Sequence, residues 1–355
     1  MRGKPLGEYQ DVRNQDEVRT LKAEQILSIS KTGDLFPYGI DMIKARYKEL
    51  VKVWHPDINC TPGAAEVYSR ITELYREALK LSEAGAWEKS NYILVSRRDD
   101  NEKIALNYDA AFDFELGTRY ETKTRIAYVL GSDKKKYFEN AVMRISGLKF
   151  QDEHMKADLS RFLPRILNAF QTKGGEYVIL LEKPDHVISL KSVLAYFGGK
   201  LDDRHVAWII SRLCSLTCFL KYNKLVHNGI NINNCFISPD NHSILLLGGW
   251  WYTTGENEKM IGTSRDIFSI MPVAAKEDKK SSSLTDLESV KLMGRQLFGE
   301  VNCRKLSMDL SVPEPFIHFL TGGSGRDPYE EFVKWDRALN DSYGRRKFIH
   351  MEIKN

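Results

Sequence analysis

The chain has 355 residues, 42% of them apolar, and its 52 Lys and Arg against 48 Asp and Glu leave a net charge of +4. That length allows about two domains with real cores, and so small a charge, with no long block of one sign, argues against a nucleic-acid or membrane-surface protein. Five scattered cysteines (Cys60, Cys214, Cys218, Cys235, Cys303) contain no C-x-x-C pair, which argues against a disulfide framework; with no apolar leader and no membrane-length stretch, a cytoplasmic location is expected.

Residues 1–20 are polar and read as a mobile lead-in. A short helix is expected over Leu21–Ile29, then a loop rich in Gly, Asp and Pro from Ser30 to Gly39. From Ile40 the pattern is helical: Ile43, Tyr47, Leu50, Val51 and Trp54 fall on one stripe, while Lys44, Lys48 and Lys52 recur every fourth residue as a basic row with Arg46 nearby. Pro56 disfavours helical geometry in the residue before it, so the helix should stop at His55. After the polar loop Asp57–Gly63 a second amphipathic helix is expected, with Tyr68, Ile71, Tyr75, Ala78 and Leu79 as its apolar face. Two such helices joined by a short loop should pack as a hairpin, each covering the other's stripe, with His55-Pro56-Asp57 at the exposed tip.

This arrangement resembles the J domain of the DnaJ co-chaperone family. Arg46-Tyr47-Lys48-Glu49-Leu50 running into Trp54-His55-Pro56-Asp57 looks like that family's second helix and loop, and Ala65-Glu66-Val67-Tyr68 with Ile71 and Tyr75 like its third. The loop before Ile40 is long for the family, and no fourth helix is recognisable after Leu81. The resemblance implies an all-α J domain over 21–87 whose partner is a DnaK-type heat-shock chaperone. Lys44, Arg46, Lys48 and Lys52 would meet an acidic surface on the ATPase, steering the encounter. Asp57 would accept charge-assisted hydrogen bonds from an arginine of the partner, Pro56 would stiffen the tip and His55 orient it. The role implied is regulatory, and the J domain breaks no bond.

Residues 88–107 read as a charged connector. Beyond them strands are expected around Phe112, Phe114 and Leu116, over Arg125–Leu130, Asn140–Ile145 and Tyr177–Glu182, with helices over Asp152–Leu163 and Asp202–Leu220 and strand fragments at Cys235–Ile237 and Ile244–Leu247. Strands followed by helices give an α+β domain over 108–350, with a small sheet lobe (108–183) and a larger helical lobe (184–350). Cys214 and Cys218 lie in an apolar helical run without a nearby ligand set and read as core thiols. Arg345, Arg346 and Lys347 read as a solvated basic turn.

The segment from Val226 to Ile237 resembles the catalytic loop of protein kinases, H-R-D-L-x-x-x-N, with His227 and Asn234 matching, Asn228 at the arginine and Gly229 at the catalytic aspartate. Gly248-Gly249-Trp250 stands where the metal-binding D-F-G would, without a carboxylate at either glycine. Ala141-Val142-Met143-Arg144 resembles the V-A-I-K strand with Arg144 at the lysine, Gly117 is what remains of the glycine-rich loop, and Asp152, Glu153 or Asp158 would be the acidic partner on the next helix. Asp286 looks like the aspartate that anchors the large lobe's central helix, and 264–283 would be a mobile activation segment.

Phosphoryl transfer in kinases depends on magnesium placed by a carboxylate and on an acceptor hydroxyl oriented by the catalytic aspartate. Glycine supplies neither, and arginine does not copy lysine's geometry. The resemblance therefore implies a pseudokinase domain with no catalytic residues, metal or cofactor, acting as a platform for an unidentified protein client. The alternative is an atypical kinase or nucleotide-binding enzyme using relocated acids. The whole combination resembles a bacterial and phage group usually labelled DnaJ-like.

Overall fold

The structure is a computed structural model and describes residues 21–29, 32–37, 39–83, 92–100, 103–301, 311–344 and 349–353. The lead-in at 1–20, the expected end of the hairpin domain at 84–87, Cys303 and the basic turn Arg345-Arg346-Lys347 lie outside the described residues. Helices come first, and a mixed α+β region follows. The described residues form two compact units: one of those up to Asp113 with Thr118–Lys123 and Phe170–Glu176, the other of Phe114–Gly117, Thr124–Ala169 and those from Tyr177 onward.

In the first unit, helices α1 (Ala23–Leu27), α2 (Ile40–Trp54) and α3 (Ala64–Glu83) share one core. Ile43, Leu50 and Trp54 of α2 meet Val67, Ile71 and Leu74 of α3, closed by Ile26 and by Leu35 and Phe36 of the loop before α2. Of the expected α2 stripe, Ile43, Leu50 and Trp54 are buried and Tyr47 and Val51 half-buried. On α3 Ile71 and Ala78 are buried as expected, but Val67 and Leu74 take the core places expected of Tyr68 and Tyr75, which flank the seam half-buried, Tyr75 stacked on Tyr47 at 4.0 Å. At that edge the Tyr47 hydroxyl finds a partner in Thr72 Oγ1 at 3.3 Å, as a partly buried tyrosine hydroxyl must.

The expected connector is instead partly a hairpin. Strands β1 (Tyr92–Ser96) and β2 (Lys103–Asn107) pair antiparallel from Tyr92↔Asn107 to Ser96↔Lys103. Tyr92-Ile93-Leu94-Val95 is rich in the aromatic and β-branched residues that favour a pleated surface, a signal hidden beside the charged run that follows it.

Strands β3 (Ala110–Phe114), β4 (Gly117–Glu121), β5 (Arg125–Leu130), β6 (Ile166–Gln171) and β7 (Tyr177–Glu182) belong to one sheet of spatial order β3-β4-β5-β7-β6. Between β5 and β6 lie helices α4 (Lys135–Ser146) and α5 (Glu153–Leu159). The strand expected over Asn140–Ile145 is thus part of α4, a correction: the short run Ala141-Val142-Met143 fits either period, but Ala141 and Ile145 repeat one helical turn apart and both are buried, with Phe138 and Val142 packed beside them.

The rest of the second unit contains β8 (Ile188–Ser189), α6 (Leu190–Tyr196), α7 (Asp203–Tyr222), β9 (Leu225–Val226), β10 (Cys235–Ser238), β11 (Ser243–Leu246), β12 (Thr254–Gly255), α8 (Arg265–Ile270), α9 (Val273–Asp278), α10 (Ser283–Leu297), α11 (Glu314–Thr321) and α12 (Pro328–Tyr343). Helices α7 and α10 are buried on nearly every side, as apolar central helices must be, and two short ladders, β10–β11 and β9–β12, hold the loops between them. The segment 264–283, expected to be mobile, carries α8 and α9, with Ile267, Met271 and Ala275 buried. Cys214 is buried and Cys218 half-buried, its Sγ 3.4 Å from the Pro328 carbonyl oxygen; burial raises both thiols, Cys218 to about 11, as expected of core cysteines. No helix among the described residues is long and apolar enough to cross a membrane.

Candidate functional site

Two places carry the residues singled out by sequence. The first is the tip of the α2–α3 hairpin. Helix α2 ends where its capping residue His55 turns extended (φ −61°, ψ 131°) ahead of Pro56, the geometry a following proline requires. The turn closes on itself: the Ile58 and Asn59 amides donate to the His55 carbonyl at 2.9 and 2.8 Å, and Asn59 Nδ2 donates to the Val53 carbonyl at 3.1 Å. His55 Nδ1 accepts from the Asp57 amide at 3.2 Å, and its ring meets Tyr68 edge-on at 5.2 Å. That holds the imidazole while the Asp57 side chain is 85% exposed. Pro56 is exposed as well.

Lys44, Lys48 and Lys52 are all exposed on α2, one turn apart. Arg46 is not one of them. It is 6% exposed, facing Glu49 at 3.9 Å, because two positions on from Lys44 the helix has turned the side chain toward the packed face.

The second place is the loop between β9 and β10 with the turn after β11. Here Asp286 of α10 sets the geometry: Oδ2 accepts the His227 amide at 2.7 Å and Oδ1 the Asn228 amide at 2.9 Å. Asp286 is wholly buried, and desolvation, partly offset by those two amides, pushes its carboxyl up to about 7. Asn228 adopts φ +56°, a left-handed conformation that asparagine tolerates; its Nδ2 reaches the Tyr252 carbonyl, Thr254 Oγ1 and Ser281 Oγ at 2.9–3.1 Å. His227 is fully buried against Trp250, ring centroids 4.9 Å apart, and burial drives its pKa down to about 3, so the ring is neutral.

Asn234 spans the loop. Its Nδ2 donates to the Gly229 carbonyl at 2.8 Å, while its own carbonyl accepts the Leu247 and Gly248 amides at 3.2 and 3.0 Å. Gly229, Gly248 and Gly249 are thereby held where any side chain would press on close neighbours. A Cβ on Gly249 would lie 2.6 Å from His227 Cε1 and 2.8 Å from the Gly229 carbonyl oxygen; one on Gly248 would lie 2.5 Å from Asn234 Oδ1 and 2.6 Å from the Tyr128 hydroxyl. At Gly229 it would stand 3.0 Å from the Gly249 carbonyl oxygen. Gly249 also has φ +83°.

Arg144 does not share this place. It lies on α4 and pairs with Glu258 at 2.8 Å, and Glu258 also accepts the Gly255 amide at 2.7 Å. Asp152 caps α5 through the Met155 amide, Glu153 faces Lys156 and Asp158 faces His154, all exposed on α5. Gly117 meets the next strand so closely that its Cβ would fall 1.9 Å from the Val129 carbonyl oxygen.

Residues that sequence did not single out complete the cluster. Asn140, buried on α4, donates Nδ2 to the Trp251 and Thr253 carbonyls at 3.2 and 2.8 Å. Phe114, Tyr128 and Trp251 form a mutual aromatic trio with centroids 4.9–5.7 Å apart. The run Trp250-Trp251-Tyr252 directly after two glycines was the available signal: three large rings in succession need a cavity to fill. No group of three or more His, Cys, Asp or Glu side chains suited to hold a metal is found among the described residues. No protein-family model matches the chain, and no curated protein matches it.

Proposed function

We propose that this protein is a J-domain co-chaperone, with an all-α J domain that recruits and stimulates a DnaK-type chaperone ATPase and a kinase-like α+β domain that binds a client and catalyses nothing. One observation carries the reading: at the tip of two packed helices Pro56 and Asp57 stand exposed beside a half-buried His55, with the Lys44, Lys48 and Lys52 row on the helix leading into it. An exposed carboxylate on a braced turn is suited to a charge-assisted pair with a partner arginine, and an exposed basic row to electrostatic steering.

The kinase-like part of the reading is supported by chain order: five strands with a helix after the third, a carboxylate from a buried helix clamping the His227 and Asn228 amides, and a glycine turn against that loop. The same region argues against relocated acids. The carboxylate touching the loop, Asp286, has both oxygens taken by amides, and Glu258 is held by Arg144 and Gly255.

The test is a stimulated-ATPase assay with a DnaK-type chaperone. The wild type is expected to raise the turnover rate and Asp57→Asn to leave it at the basal value. Equal stimulation by both proteins would end the co-chaperone reading.

A further inference from the structure

The three places where a kinase holds its catalytic acids and metal-binding turn are not merely lacking carboxylates. The Gly229 and Gly249 backbones are in contact, Gly248 is held to the same loop through the Asn234 main-chain carbonyl, His227 and Asn234 wall them, and all five residues are buried. The chain's own rings pack against them, Trp250 on His227 and Tyr128 beside Gly248. The Tyr128 hydroxyl lies 2.6 Å from where a Gly248 Cβ would be, and Tyr128 is itself packed against Trp251 and Phe114.

The helix beside this place is also held from within. In kinases the small-lobe helix is set by a lysine–glutamate pair completed around the nucleotide. Here α4 is fixed by Asn140 to the Trp251 and Thr253 carbonyls and by Arg144 to Glu258, and none of these bonds needs a phosphate or a metal. We infer that the kinase-like site is a sealed fastening: it admits neither nucleotide nor divalent cation, and it holds α4 in one position regardless of either. This rests on the kinase-like reading above and deepens it, since the client platform is then constitutive and not switched by nucleotide.

The test uses the full chain without substitution. Thermal unfolding is followed with millimolar ATP or ADP and with magnesium or manganese, and amide hydrogen exchange is read at His227, Asn228, Leu247 and Gly248, whose N–H groups bond Asp286 or the Asn234 carbonyl. The expected result is an unchanged midpoint and exchange at these amides only through global unfolding. Fast local exchange there in the free protein overturns the seal. So does stabilisation by nucleotide that alters exchange at Asn228 and Gly248, an outcome that would leave the kinase-like reading standing. The Asp57→Asn assay plays no part, so the co-chaperone proposal and the seal fail separately.

Discussion

Gly198 and Gly249 share a left-handed backbone, with φ of +69° and +83°, but not their surroundings: nothing lies within 4 Å of a Cβ at Gly198, whereas at Gly249 the His227 ring is 2.6 Å away. Alanine at Gly198 should therefore cost only the conformational penalty, about 1 kcal/mol. At Gly249 overpacking adds to it, for a total of about 3 kcal/mol. Urea unfolding of the two variants checks this, and equal losses would mean the cluster is looser than described. His227 and Asp286 give the same cluster opposite pH responses. The neutral His227, with a pKa of about 3 in the fold against an ordinary 6.5, contributes stability that is complete above pH 6.5 and lost as pH falls toward 3. Asp286, raised from 3.8 to about 7, contributes stability present below about pH 4 and lost as pH rises through 7. Replacing His227 by the non-titrating Gln should leave only the second response. The thermal midpoint of the wild type minus that of the variant should then grow from pH 4 to 6.5 and level off above; parallel curves would refute the assignment.

At the scale of single elements, α4 and α2 invite different experiments. Asn140→Ala removes two buried hydrogen bonds that tie α4 to the turn after Gly249 and leaves the Trp251 and Thr253 carbonyls without that donor. A loss of about 1–3 kcal/mol is expected by calorimetry, together with faster amide exchange in α4. On α2, Lys44, Lys48 and Lys52 are exposed, so reversing all three to Glu should spare the thermal midpoint. Association with a DnaK-type chaperone should slow by about tenfold at low salt and lose most of its salt dependence; an unchanged rate would reduce the row to a solvated face. Helix α2 was legible because its stripe runs for four turns and ends at a proline. Helix α4 was not, because three consecutive apolar residues satisfy both periods and the deciding contact, Asn140 with carbonyls more than a hundred residues away, leaves no local mark. Arg46 was misplaced for a related reason: it keeps the company of lysines in sequence but not around the helix.

For the whole molecule, the sequence located the helical hairpin, its tip, the α+β region after it, the buried helix α7 and the loop that Asp286 clamps. It missed the β1–β2 hairpin, the helices within 264–283 and the aromatic trio. Asp286 could be singled out because a short motif surrounds it, whereas Phe114, Tyr128 and Trp251 meet only through the fold. Core packing offers a check at this scale. Leu74→Ala in α3 and Leu213→Ala in α7, each from a different unit and each buried, should both lose about 2–5 kcal/mol. If the units unfold separately, calorimetry of each variant should move one transition and leave the other in place.

The close packing at Gly229, Gly248 and Gly249 also constrains where this chain can go by mutation. A side chain arriving at any one of them starts with its Cβ 3.0 Å or less from a neighbour: the Gly249 carbonyl at Gly229, the Asn234 and Tyr128 side chains at Gly248, the His227 ring and the Gly229 carbonyl at Gly249. Each such change costs stability unless a neighbour gives way first. The glycine cluster thus works as a ratchet: once the neighbours have closed on glycine, a single substitution meets them shut.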